Sequence, residues 1–315
     1  MQDSGEARAI APRTFRYTDI DQYRSAIQRL DVDFTPLVRA IDVEQTILNL
    51  PGCDINLTKC FPRIVDAQLA PNCTAVGFSM DDHDVAIRFN GVERDRSVIV
   101  LGSDGAAYAS VERVERQIAS VVFTPQVLDR GWPETGPNFR MFETSLSAQH
   151  RLRELVREAL SFASSAADCV QLGVSSVAIR ESFLAGVDAA FEQVVAARWT
   201  SRANSVRHFK IFQEIRAVLA SDLGRPIYSE ELARKVGISV RSLHDAVQRY
   251  RGMSLHRYLR LRRLWLVRKR LLAGADSVKA TALAYGFWHL SDFSRSYRLH
   301  FGETPSETLE RGRRG

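Results

Sequence analysis

Arg241, His244, Asp245, Gln248 and Arg249 form one cluster of polar side chains late in the chain, and Ser291, Asp292, Arg295 and Arg298 form another about fifty residues on. Within each cluster, neighbours are one or three residues apart, a spacing that places them along one side of an α-helix. These groups donate and accept hydrogen bonds in fixed directions. Arginine pairs with guanine O6 and N7, glutamine with adenine N6 and N7, and a carboxylate accepts from cytosine N4. The chemistry is the reading of base edges in the major groove of double-stranded DNA.

Two helices must carry these faces, and the sequence repeats the frame for them. Leu232, Ala233, Gly237, Leu243, Val247, Gly252 and Ser254 recur as Thr281, Ala282, Gly286, Phe293, Tyr297, Gly302 and Thr304, offset by 49 residues up to the turn glycine and 50 after it. The small Ala lets a second helix cross close by, and the Gly supplies the left-handed residue between two helices. Leu243 and Val247 then face the core, as do Phe293 and Tyr297, so the polar clusters point outward. Ser229, Ser239 and Asp276 or Ser277 are the expected helix caps. Thr304-Pro305-Ser306-Glu307 reads as a capping box with proline at the first helical position.

Between the units a helix is predicted from about Ser254 to Leu272, with Leu255, Tyr258, Leu261, Trp265 and Leu272 roughly on one face. Its arginines form a belt, from which Arg262 and Arg263 are expected to contact phosphates. A helix upstream, about His208 to Ala220, leads into Gly224-Arg225-Pro226, and Trp199 to Arg207 reads as a linker. From Ser205 onward there are 22 Lys and Arg against 10 Asp and Glu, a balance of +12, while the preceding 204 residues carry 21 against 27. A basic domain joined to a mildly acidic one fits a nucleic-acid reader attached to a second function.

The earlier part changes period. Val76, Phe78 and Met80 alternate with smaller or polar residues, as do Val85, Ile87 and Phe89 before the Asn90-Gly91 turn, and Ser97 to Leu101 is a short apolar strand. This spacing suits a small barrel or sandwich over about 15–140. Leu146, Leu152, Leu155, Val156 and Leu160 then mark one helix, and Ile179, Phe183, Val187, Phe191, Val194 and Val195 another, with Leu172-Gly173 as the turn between. This αα-hairpin, about 143–198, either packs on its own barrel or supplies a homodimer seam.

The stretch from Gly286 to Glu307, GFWHLSDFSRSYRLHFGETPSE, resembles the signature of the AraC/XylS family of bacterial transcription regulators. The first unit matches through Leu232-Ala233, Gly237, Ser239, Leu243 and Gly252-Met253-Ser254. The resemblance covers about 208–310, with helix-turn-helix units at about 229–250 and 277–300. It implies an α+β chain: an N-terminal cupin-like barrel or sandwich with a helical pair, within a regulatory region 1–200, ahead of an all-α DNA-binding domain whose two units are joined by a long helix. It further implies a ligand-responsive activator at promoter DNA, with RNA polymerase and a small-molecule effector as partners; control by a protein partner or by abundance is the alternative. Asp245 and Val247 depart from the family, which has a basic residue and an aromatic there. Asp245 either reads a base or pairs with Arg249, one helical turn away. Thr281 and Tyr285 also depart, and either compensate each other sterically or leave Tyr285 at the surface.

Catalysis is not expected, because the chain has no GxSxG elbow, HExxH or Gly-rich phosphate loop. A cupin metal site would need paired histidines, and His83, in Asp81-Asp82-His83-Asp84, is the one histidine in the barrel segment, so no metal or other cofactor is expected. Cys53, Cys60, Cys73 and Cys169 are irregularly spaced and read as reduced thiols of a cytoplasmic protein. No stretch approaches the roughly eighteen apolar residues of a membrane span.

Overall fold

A computed structural model describes residues 11–81, 86–94, 98–128, 130–165, 169–192, 202–221 and 226–314, with backbone alone for 165, 169–175 and 202–206. The turn read at Asp82 to Asp84, together with Val85, Ser97, Val194, Val195 and Gly224-Arg225, lies outside the described residues. Alternating sequence in the first half produces antiparallel strands. They are β1 (Arg13–Tyr17), then after the short helix α1 (Ile20–Ala26), β2 (Leu30–Pro36), β3 (Val43–Leu50), β4 (Cys53–Cys60), β5 (Arg63–Leu69), β6 (Thr74–Ser79), β7 (Ile87–Phe89), β8 (Val92–Arg94), β9 (Val98–Ser103), β10 (Ala107–Glu112), β11 (Arg116–Phe123) and β12 (Arg140–Glu143). Helix α1 was not legible in the hydrophobic pattern; the Asp19 carboxylate starts it by accepting from the amides of Asp21 and Gln22.

The strands form a seven-stranded sheet, β1-β3-β4-β11-β6-β9-β12, and a five-stranded sheet, β2-β5-β10-β7-β8. The expected helical pair follows as α2 (Leu146–Ser165) and α3 (Cys169–Glu192). Leu152, Val156, Phe183 and Val187 share one buried core with Leu48, Ile55, Phe78, Ile99 and Phe123, so the pair packs on the seven-stranded sheet. Leu172-Gly173 is not the turn between these helices: both residues lie inside α3.

The C-terminal third is helical: α4 (Arg202–Ser221), α5 (Ser229–Val236), α6 (Val240–Arg251), α7 (Leu255–Leu272), α8 (Val278–Ala284), α9 (Leu290–Phe301) and α10 (Pro305–Arg314). Helix α4 begins earlier than expected and takes in Arg202 to Arg207, part of the predicted linker. Ser239, Ser254 and Ser277 cap α6, α7 and α8 through their hydroxyls, whereas Ser229 is the first residue of α5 and Tyr228 stands at its cap without a side-chain bond. The capping box closes in both directions, with Thr304 N–H donating to Glu307 Oε2 (2.6 Å) and Glu307 N–H donating to Thr304 Oγ1 (3.3 Å).

Helix α7 does not have one buried face. Leu255, Tyr258 and Leu259 belong to a core with Leu232, Leu243 and Val247; Leu264, Val267 and Leu271 belong to another with Phe293, Tyr297 and Phe301. Leu272 turns outward and Leu261 and Trp265 are half-buried. A stripe predicted along one face fails because α7 serves two successive cores on different sides.

Candidate nucleic-acid interface

In the first unit α5 ends at Gly237, left-handed at φ 73°, where Ile238 N–H bonds the Ala233 carbonyl at 3.0 Å. The second unit repeats the closure, with Gly286 at φ 78° and Phe287 N–H on the Ala282 carbonyl at 3.0 Å. Each turn launches the next helix, α6 or α9, with its apolar residues inward. Arg241, His244, Asp245 and Gln248 are exposed on α6, and Ser291, Asp292, Arg295 and Arg298 are exposed on α9. Arg249 differs. It is half-buried, its Nη1 lies 3.3 Å from His208 Nδ1, and a Cβ added at Gly91 would sit 2.9 Å from its Cγ. No Asp245–Arg249 ion pair occurs among the described residues, because Arg249 turns toward the barrel.

The arginine belt is largely engaged inside the domain. Arg262 donates to the Leu219 carbonyl near the end of α4. Arg263 donates to the Gly286 carbonyl at 3.5 Å and stacks 5.3 Å from the Phe287 ring centre. Burial pulls its pKa below the usual arginine value. Each guanidinium that the sequence marks as a phosphate contact thus also has an internal partner in the structure. Arg260 donates to Ser296 Oγ at 2.6 Å, tying α7 to α9. Arg257, Lys269 and Arg270 stay exposed on α7. Trp288, 69% exposed just before α9, was missed, since an aromatic beside Phe287 reads as core. Thr281 is buried, and Tyr285 is half-buried against the second core.

The five-stranded sheet mounts this domain. Asp66 on β5 accepts from Arg251 Nη2 at 2.5 Å through Oδ2, and its Oδ1 forms an ion pair with Arg216 Nε at 3.1 Å. Arg251 is fully buried, 4.6 Å from the Phe212 ring centre and 5.1 Å from that of Tyr258. Burial opposes its charge, but Asp66 holds its pKa above the usual value. Ile64 and Val111 join the first unit's core, and Ala107 and Ala109 pack with Phe209, Phe212 and Tyr250. Arg88 donates to the Arg249 carbonyl at 2.9 Å, Arg113 to the Gly252 carbonyl at 3.3 Å, and Arg39 to the Leu299 carbonyl at 3.0 Å. All three barrel arginines therefore meet the C-terminal ends of α6 and α9, where partial negative charge collects.

Strand alternation gives the same sheet a second role. Ile87, Phe89, Tyr108, Ser110 and Glu112 face away from the helices and line a cavity of about 970 Å³ of open space, mouth included. The cysteines play no visible part in it. Burial pushes the Cys53 and Cys60 thiols up to about 12, and Cys73 is buried beside the Thr124 hydroxyl. The Cys169 side chain lies outside the described residues.

A helix-turn-helix domain family matches residues 232–311. The XylDLEGF operon transcriptional activator 2 of Pseudomonas putida is 35% identical over 112 residues, which cover 35% of this chain and 71% of that one. The chain belongs to the AraC/XylS family. XylDLEGF operon transcriptional activator 1 of the same organism is 38% identical over 103 residues, covering 32% of this chain. That match spans 31% of the relative's own length. A solved structure described as a probable AraC family transcriptional regulator from Rhodopseudomonas palustris is 38% identical, covering 33% of this chain and 97% of that one, with a TM-score of 0.30.

Proposed function

We propose that this protein is a promoter-binding transcription activator that reads two successive major-groove segments and is controlled by a small molecule in its barrel. The observation that carries the DNA reading is the pair of exposed polar faces on α6 and α9, mounted on the two ends of one helix. Helix α7 has 18 residues and spans about 27 Å, which is near the rise of one DNA turn, about 34 Å, once the flanking units are added. Arg241, His244, Asp245 and Gln248 address the first segment, and Ser291, Asp292, Arg295 and Arg298 the second. Arg249 can join them only by leaving His208 and Gly91. The relatives named as operon activators support the sign of regulation.

Ligand control is supported by the five-stranded sheet, whose cavity face and docking face alternate residue by residue. Phe89 lines the cavity while Arg88 holds α6; Glu112 lines it while Val111 packs in the first core. A ligand that shifts β7 or β10 therefore shifts the seat of α6. In this scheme RNA polymerase is the target of the bound protein. The pair α2–α3 provides a homodimer seam through its exposed Leu146, Phe162 and Val177.

Selection of bound fragments from genomic DNA, followed by footprinting, tests the reading. Protection of two adjacent major grooves on one DNA face is expected. A footprint of a single groove from the intact protein would remove one unit from the interface.

A further inference from the structure

The two reading units differ in length by one residue. The repeat is offset by 49 residues up to the turn glycine and by 50 after it, so the second unit holds an extra position. The hydrogen bonds locate it. Ile238 and Phe287 close equivalent turns, their N–H groups on the Ala233 and Ala282 carbonyls at 3.0 Å. Ser239, the cap of α6, follows Ile238 at once, whereas Trp288 stands between Phe287 and His289, the cap residue of α9. Trp288 is the added residue.

The fold does not use its side chain. Ile238 packs against the first unit's core and Phe287 is buried in the second unit's. Trp288 is 69% exposed and belongs to neither. It is displayed at the end of α9 from which the reading face starts, with Ser291, Asp292 and Arg295 exposed over the next two turns. Covering an indole's apolar face is favourable. The N-terminal residues of a reading helix are those that reach base edges, and the apolar group that the major groove offers there is the thymine methyl. Arg295 and Arg298, exposed on the same helix, draw this face toward DNA.

We propose that Trp288 is a specificity residue of the second unit, packing its indole on the methyl group of a thymine at the end of the segment that α9 reads. This rests on the reading of α9 as a major-groove helix and adds a base to it. Uracil in place of that thymine removes the methyl and keeps the pairing, so the contact can be deleted from the DNA side. Leu299 serves as the internal control. It is also 69% exposed, but it sits at the opposite end of α9, where Arg39 of the barrel holds its carbonyl.

The test selects binding sites from random duplexes with the full chain and with Trp288→Ser, Trp288→Phe and Leu299→Ser. Affinity is then measured on the selected site with each thymine of the second segment replaced in turn by deoxyuridine. One A·T pair at an end of that segment should be fixed in the sites chosen by the unaltered chain, and deoxyuridine there should weaken binding about four-fold, the loss of one methyl contact. Trp288→Ser should bind the thymine and uracil sites alike while keeping the rest of the motif. Trp288→Phe and Leu299→Ser should keep the thymine preference. The melting temperature of Trp288→Ser should not change, because the indole packs in neither core. Two protected grooves with no uracil-sensitive position, or a sensitivity that survives Trp288→Ser, would overturn the thymine contact and leave the DNA reading in place. Equal loss on every sequence would make Trp288 a backbone contact, and intact DNA binding with lost transcription would make it a protein-docking residue; either overturns the proposal. A marked fall in melting temperature would assign Trp288 to the fold and overturn it as well. Failure of the unaltered chain to protect the second segment would overturn this contact and the reading of α9 together.

Discussion

The two reading units end their second helices on equivalent residues with opposite character. The first ends Tyr250-Arg251-Gly252, the second His300-Phe301-Gly302. Phe301 completes the second unit's own core, 4.9 Å from the Trp265 ring. Arg251, at the same place in the repeat, is equally buried but gives its charge to Asp66 of the barrel. The barrel meets both units at equivalent carbonyls, through Arg88 on Arg249 and Arg39 on Leu299. Among the described residues, only the first adds a buried ion pair, shared apolar packing and a second capping arginine. The first unit is therefore gripped and the second is touched at its end. Under the proposed ligand control, a signal from the barrel would reach α6 before α9, and the unit with the unusual Asp245 is the one the barrel grips.

The largest test of this contrast is Asp66→Ala. It leaves Arg251 buried without a counter-charge, and loss of about 3–5 kcal/mol is expected, read by chemical denaturation. Arg251→Phe, which installs the second unit's residue, should release the barrel while sparing the helix-turn-helix itself. An unchanged midpoint in Asp66→Ala would break the comparison. Arg295→Ala should next cost about 1–3 kcal/mol in DNA affinity and relax preference at one base of the second half-site. Equal loss on every sequence would make Arg295 a phosphate contact and blur the distinction between reading and gripping.

Gly252→Ala should cost about 1 kcal/mol for its left-handed backbone alone, at φ 62°. It should cost more than Gly302→Ala, because a Cβ at Gly252 would meet Arg113 and stand 2.9 Å from Arg88 Nε, whereas at Gly302 the nearest atom, of Arg39, is 3.4 Å away. Equal losses on thermal denaturation would argue that the two ends are held alike. The mildest test is pH. Burial and then Arg268 hold His300 down to about 4, so the folded second unit refuses a proton that the unfolded chain takes up near pH 6.5. Stability should be flat above that pH and fall as pH drops from about 6.5 toward 4. His300→Gln should flatten this slope, and a slope surviving that change would have to come from elsewhere.

What could be read along the chain was local. The caps Ser239 and Ser277 act within three residues of themselves, and the turn glycines act within one turn. The polar faces of α6 and α9 followed from the apolar residues that alternate with them. Arg262 and Arg263 escaped the same logic. Their partners, Leu219 and Gly286, lie 43 and 23 residues away, and an arginine on an amphipathic helix looks alike whether it meets a phosphate or a carbonyl. Arg249 and Arg251 were hidden for the same reason, the latter with a partner 185 residues distant.

The residue pattern by itself determined an α+β chain with two copies of a DNA-reading frame, because periodicity, small residues and capping groups fix local backbone directly. Tertiary structure decided which charges remain available to a partner and which are engaged inside the molecule. It also decided that one five-stranded sheet carries a cavity on one face and the first reading unit on the other. Alternation assigns a strand two faces, but only closure of the sheets and docking of the helices says what each face meets.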